Sequence, residues 1–154
     1  MKLKKIISKL SLEEKVSLLS GFDNWHTPDI KKYGIPKIKM SDGPNGVRGD
    51  SSTPQTSACF PSPILLGATW NEKLIKKIGS ATGEEALYKD VDVLLAPTIN
   101  LHRHPLGGRH FECYSEDPVL TSKIACSYVS GVQSEGVAAC LKHFAGNDTE
   151  FERH

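Results

Sequence analysis

Long apolar runs, an excess of one charge and paired cysteines are all missing from this 154-residue sequence. The formal net charge is only +1, so electrostatics gives no reason to expect nucleic acid or an anionic membrane as a partner. No segment approaches the roughly 20 apolar residues of a membrane span. Near the N-terminus the longest apolar run is Ile6–Ile7, which is too short for the core of a signal peptide. The four cysteines form no C-x-x-C pair, so we expect reduced, structural thiols in a cytoplasmic protein.

Internal repeats, charge blocks and low-complexity linkers are also missing, so we expect one domain over residues 1–154. Helix signals occur over 11–21, from Asn71 onwards, and from Asp117 to Gly136. Each begins with a side chain suited to capping the first turn. Three apolar runs of strand length, 37–41, 62–70 and 92–98, lie between these helices, and a fourth, 137–143, follows the last helix. Strands that alternate with amphipathic helices predict a parallel sheet covered by helices, the α/β class.

Polar side chains follow three of the four predicted strands. Asp42 comes directly after the first strand, a loop containing Arg109 follows the third, and Lys142 and His143 end the fourth. The C-terminal ends of parallel strands share one edge of the sheet, where α/β proteins build their sites. We therefore expect these clusters to converge into one site.

Each of these residues also has a simpler interpretation. Asp42 fits an ordinary Gly/Pro/Asn turn, although a carboxylate held at a strand end can accept hydrogen bonds from two adjacent hydroxyls. Arg109 follows two glycines that would admit a ligand, but it can instead pair with Glu112 or Glu116. Lys142 at the end of a buried strand needs a partner or a function.

The sequence gives little support for a metal site. His102 and His104 form an H-x-H pair, but no third ligand lies beside them at a suitable spacing. We therefore expect neither a metal nor any other cofactor.

Five stretches of the chain, taken together, resemble glycoside hydrolase family 3 in its β-glucosidase branch. They are LSLEEKVSLLSG, SDGPNGVRG, FPSPILLGATWN, LLAPTINLHRHPLGGRHFECYSEDP and YVSGVQSEGVAACLKHFAGNDTEFER, and they occur in the family's order. The KHFPGHG loop of the family's bacterial N-acetylglucosaminidases is absent. His104 stands where many relatives have Asp or another small polar residue.

The resemblance implies the first part of a (β/α)₈ barrel, incomplete in this chain. It also implies retaining hydrolysis of terminal β-linked glucosyl residues, with a β-glucoside or short β-linked oligosaccharide as ligand. It leaves the choice between glucose and xylose open. The positions that match the family's sugar-binding residues are Asp42, Arg48, Arg109, Lys142, His143 and Arg153.

The family's catalytic carboxylates have no counterpart in these 154 residues. The nucleophile is an aspartate in an S-D-W-type motif, and the acid/base is a glutamate from a later domain. We therefore expect the isolated chain to be inactive and to need the remainder of the enzyme as a partner. One alternative is a catalytically silent sugar-binding or assembly fragment. Another is an aldolase-like barrel with Lys142 as a Schiff-base nucleophile, which the adjacent His143 and the carbohydrate-type motifs disfavour.

Overall fold

The computed structural model describes residues 2–49 and 55–150 of the chain. It divides into two compact units, Met1–Met40 and Ser41–His154, which we describe separately. The prediction of one domain over 1–154 therefore stays a prediction. Within the two described ranges, no helix combines the length and the apolar character needed to cross a membrane.

The first unit contains two short helices, α1 (Lys2–Ile7) and α2 (Leu12–Ser17), and a 3₁₀ turn at Lys31–Tyr33. The predicted capping box of α2 is confirmed, because the Ser11 hydroxyl accepts from the amide of Glu14 and the Glu14 carboxylate accepts from the amide of Ser11. The helix nevertheless ends before the predicted residue 21. None of its residues is buried, and so short a helix has little packing to extend it.

The second unit is built around two long helices, α4 (Glu72–Tyr88) and α5 (Pro118–Ser134). Both predicted caps are confirmed. The Asn71 side chain accepts from the amide of Leu74 at 3.0 Å, and the Asp117 side chain accepts from the amide of Leu120 at 2.7 Å. The buried side chains that join these helices to the sheet are Val47, Leu66, Ile75, Ala86, Val91, Leu94, Ala96, Tyr114, Ile124, Ala125, Tyr128, Val132 and Val137.

The backbones of α4 and α5 touch at two glycines. A Cβ at Gly79 would lie 2.3 Å from the carbonyl oxygen of Tyr128, and one at Gly131 would lie 2.2 Å from that of Lys76. Only glycine fits such an approach, so this crossing fixes how the two helices lie against each other.

Within the described ranges, three strands form a sheet in the order β1 (Met40–Asp42), β2 (Val93–Leu95) and β3 (Ala138–Ala139). β2 and β3 are parallel, and the isolated parallel bridge between Thr98 and Lys142 continues their alignment beyond the strands. The predicted mixture of helices with parallel strands is confirmed. The strands are shorter than the apolar runs that predicted them.

The prediction of a strand at 62–70 is wrong. That run forms a short helix, α3 (Pro63–Gly67), with proline at its first position. Pro63 and Leu66 are buried whereas Ile64 and Leu65 are exposed, which is helical rather than alternating burial. A short apolar run does not distinguish a strand from a buried turn of helix.

Candidate functional site

An ion pair joins Asp42, the last residue of β1, to Lys142, which follows β3. Lys142 Nζ donates to Asp42 Oδ1 at 2.5 Å, although the two residues are 100 positions apart in the sequence. The side chains of Lys142 and Asp42 are 14% and 35% exposed. The predicted convergence of these two strand ends is observed, and the partner that the lysine needed is the aspartate.

Asp42 is the last residue of β1 and opens the turn that follows it. The amide of Arg48 donates to the Asp42 carbonyl at 2.9 Å and so closes the turn. Gly46 within it has a φ of +136°, and a Cβ there would lie 2.0 Å from the carbonyl oxygen of Ala58. The turn therefore requires glycine at this position.

Arg109 is held beside the ion pair by acidic side chains. Its Nε donates to Glu112 Oε1, and one terminal nitrogen lies 3.8 Å from Glu150 Oε1. Glu112 is itself buried, and its other oxygen accepts from the hydroxyl of Thr98 at 3.2 Å. The hydrogen bond to Glu112 raises the pKa of Arg109. The simpler interpretation of Arg109, pairing with Glu112, is thus also realised.

His143 completes the cluster and has a defined tautomer. The side-chain oxygen of Asn100 accepts from the His143 amide at 2.8 Å and lies 3.3 Å from the ring Nδ1. A terminal nitrogen of Arg109 lies 3.1 Å from the ring Nε2. An amide oxygen only accepts and a guanidinium only donates, so Nδ1 carries the proton. Burial, followed by the charges of Arg109 and Lys142, lowers the pKa of His143.

The remaining two predicted residues contribute differently. Arg48 is exposed, and its guanidinium has no ion-pair partner among residues 2–49 and 55–150. Arg153 lies outside the described residues. The structure therefore brings four of the six predicted residues together.

Sequence reasoning missed the residues that hold the four in place. Asn100 orients His143, and Asp148 ties the segment after β3 to the segment after β2. The Asp148 carboxylate accepts from the amide of Leu101 at 2.9 Å and from Arg103 Nε at 3.3 Å. The hydrogen bond from Leu101 lowers the pKa of Asp148. The only sequence feature that could have indicated Asn100 is its position as a polar residue just after a buried strand.

The H-x-H pair has a structural explanation. His102 Nε2 lies 2.9 and 3.1 Å from the carbonyl oxygens of His110 and Cys113, so it carries a proton that it donates to both. His104 is exposed. In the part of the chain that the structure describes, no three His, Cys, Asp or Glu residues are placed to hold a metal.

Taken together, the cluster offers two cations, a neutral imidazole and carboxylates that already have partners. Asp42 pairs with Lys142, whereas Glu112 and Glu150 lie against Arg109. Such a set suits the binding of several hydroxyl groups through charge-assisted hydrogen bonds. It does not present a described carboxylate free to act as a nucleophile or a general acid.

Known proteins of similar sequence include β-glucosidases. The chain is 57% identical to a β-glucosidase of Rhizobium radiobacter over 150 residues, which are 96% of this chain and 18% of that protein. It is 46% identical to the thermostable β-glucosidase B of Acetivibrio thermocellus, over 98% of this chain and 21% of that protein. The chain thus spans about a fifth of the length of these curated relatives.

A solved structure agrees with the sequence comparison. Thermotoga neapolitana β-glucosidase 3B in complex with glucose matches 99% of this chain and 24% of its own, with a TM-score of 0.89 and 42% identity. The model of the glycosyl hydrolase family 3 N-terminal domain matches residues 5–154. The chain therefore belongs to the glycosyl hydrolase family 3 N-terminal domain family.

Proposed function

We propose that this chain supplies the sugar-binding part of the active site of a retaining β-glucosidase, as the first part of a (β/α)₈ barrel. The observation that carries the proposal is the contact between Lys142 and Asp42. It places a cation and a carboxylate side by side beyond the ends of two strands of one sheet, where barrel enzymes bind their substrates. We propose a β-glucoside or a short β-linked oligosaccharide as the ligand.

The chemistry of the cluster suits a glucosyl unit. Its equatorial hydroxyls both donate and accept hydrogen bonds. Asp42 can accept from two neighbouring hydroxyls, while Lys142 and Arg109 can donate to their oxygens. Hydrogen bonds of this kind to the 2-hydroxyl strengthen as the ring approaches an oxocarbenium ion. The site would therefore both orient the sugar and favour its transition state.

The proposal assigns the bond-breaking carboxylates to sequence outside these 154 residues. Retaining hydrolysis needs two carboxyl groups about 5–5.5 Å apart, one as nucleophile and one as acid/base. The described carboxylates of the cluster are already paired with cations. The relatives are about five times as long as this chain, which leaves ample sequence to supply both groups.

A chimera provides the test. This chain would replace the matching region of the Rhizobium radiobacter β-glucosidase, and hydrolysis of a nitrophenyl β-glucoside would be measured. We expect turnover by the chimera and none by the isolated chain. Asp42→Asn should lower kcat/KM by about 10- to 150-fold, because one charge-assisted hydrogen bond contributes about 1.5–3 kcal/mol. Glu116→Gln, a change of an exposed carboxylate in the loop after β2, is the matched control.

The same assay separates the alternatives. A chimera that shows no turnover, but binds glucose with an affinity that Asp42→Asn lowers, would favour a silent sugar-binding fragment. Turnover by the isolated chain, lost on Asp42→Asn, would make Asp42 the nucleophile. The Schiff-base alternative gains nothing from the structure, since the carboxylate of Asp42 holds the amine of Lys142. Borohydride trapping of a substrate on Lys142 would revive it.

A further inference from the structure

A lysine is almost completely buried at the C-terminal end of α4. Lys89 is 2% exposed. Its Nζ donates to the carbonyl of Val47 at 2.7 Å, to Glu85 Oε1 at 3.1 Å and to the hydroxyl of Ser57. Desolvating an ammonium costs several kcal/mol, so a buried lysine persists only where such partners offset the cost. Its contact with Val47 reaches the segment that follows β1.

Glu85 binds the same segment from one turn earlier in the helix. Its Oε2 accepts from the amide of Val47 at 3.2 Å, and its Oε1 accepts from the amide of Ala58 at 2.9 Å. Residues four apart lie on one face of a helix, so Glu85 and Lys89 act together. This pair fixes both the N–H and the C=O of Val47.

Arg48 follows Val47, and the backbone around it also forms hydrogen bonds to β1. The amide of Arg48 donates to the Asp42 carbonyl at 2.9 Å, and the amide of Gly49 donates to the hydroxyl of Ser41 at 3.0 Å. No described side chain pairs with the Arg48 guanidinium. Among the described residues, only its backbone contacts constrain the reach of this arginine, unlike that of Arg109.

We propose that Glu85 and Lys89 are positioning residues that hold Arg48 where it binds the sugar. The proposal rests on the proposed function of the site, and it assigns no contact between sugar and either residue. If the pair is broken, the segment around Val47 loses its attachment to α4. The guanidinium of Arg48 then samples more positions, and substrate affinity falls.

The attachment itself is tested without any sugar. Hydrogen exchange would be measured in the 154-residue chain for peptides covering 41–49 and 118–134, in Lys89→Met and in Glu85→Gln. Lys77→Met, a change of an exposed lysine in the same helix, is the control. We expect exchange at least about tenfold faster in 41–49 only. Equal acceleration of both peptides would show a general structural role, and unchanged exchange in both variants would show no attachment; either result overturns the proposal.

The consequence for binding is tested in the chimera. Lys89→Met and Arg48→Ala should each raise KM about tenfold, with a smaller effect on kcat. The double variant should be no worse than Arg48→Ala, because a positioning residue has nothing left to position. Independent effects that multiply would refute action through Arg48. An inactive chimera would count against the proposed function instead, and the hydrogen-exchange result would then decide whether the pair holds this segment.

Discussion

The ion pair between Asp42 and Lys142 should be measurable as a coupling energy in folding. Removing one member of a buried pair costs about 3–5 kcal/mol, whereas exposed pairs contribute about 0–1 kcal/mol. Lys142 is 14% exposed and Asp42 is 35% exposed, so water competes for the carboxylate but hardly for the amine. We therefore expect Asp42→Asn and Lys142→Met each to cost about 1–2 kcal/mol. A loss of this size lowers Tm by about 2–8 °C in a chain of this length.

The assay is urea unfolding of the wild type, both single variants and the double variant, followed by circular dichroism at pH 7. The double variant should cost about 1 kcal/mol less than the sum of the single variants. Glu14 and Lys32 form the control pair, with a similar separation of 2.6 Å but a lysine that is 62% exposed. Their coupling should be close to zero. Additive effects at Asp42 and Lys142, or equal couplings in the two pairs, would refute the reasoning from burial.

Three further outcomes test separate parts of the structure. Burial and neighbouring cations lower the pKa of His143 from 6.5, so the imidazole is protonated at a higher pH in the unfolded chain than in the folded one. The free energy of unfolding should therefore be fully retained above pH 6.5 and decrease below it. In urea titrations, His143→Gln should make this decrease smaller. Gly131→Ala should cost about 2 kcal/mol by thermal unfolding, since its Cβ would meet the carbonyl of Lys76. Gly108→Ala, where a Cβ meets nothing within 4 Å, should leave Tm unchanged. Asn71→Ala should cost about 1 kcal/mol in the same assay, because α4 loses its cap.

The long helices could be predicted because several local signals agreed. Asn71 and Asp117 mark the starts of α4 and α5, and each caps its helix in the structure. The run 62–70 carried no such agreement. Its apolar residues were nearly consecutive, so they showed no helical or alternating period. The serine–proline step at 62–63 starts a helix in the structure.

The site was predictable in outline because it follows from topology. Parallel strands bring their C-terminal ends to one edge, whatever the distance between them in sequence. The contacts within the cluster were harder to predict from the sequence. The sequence does not indicate which side chain an asparagine or an acidic residue in a loop will contact. Asn100 fixes the tautomer of His143, and Asp148 holds the segment after β3. Both contacts depend on the conformations of loops, which the sequence patterns did not predict.

Arg109 and Arg48, which we both propose to bind the sugar, would differ in the free energy that binding costs them. Arg109 is already fixed by Glu112, so binding a sugar would cost it little rotamer entropy. Arg48 is exposed, and ordering its side chain on binding would cost about 0.5–1.5 kcal/mol. The residue before it, Val47, is nevertheless held by Glu85 through its N–H and by Lys89 through its C=O. Under the proposed function, Arg109 would meet the sugar from a fixed position, whereas Arg48 would have to be ordered on binding. Affinity should therefore be sensitive to the segment around Val47, although that segment itself is not proposed to touch the sugar.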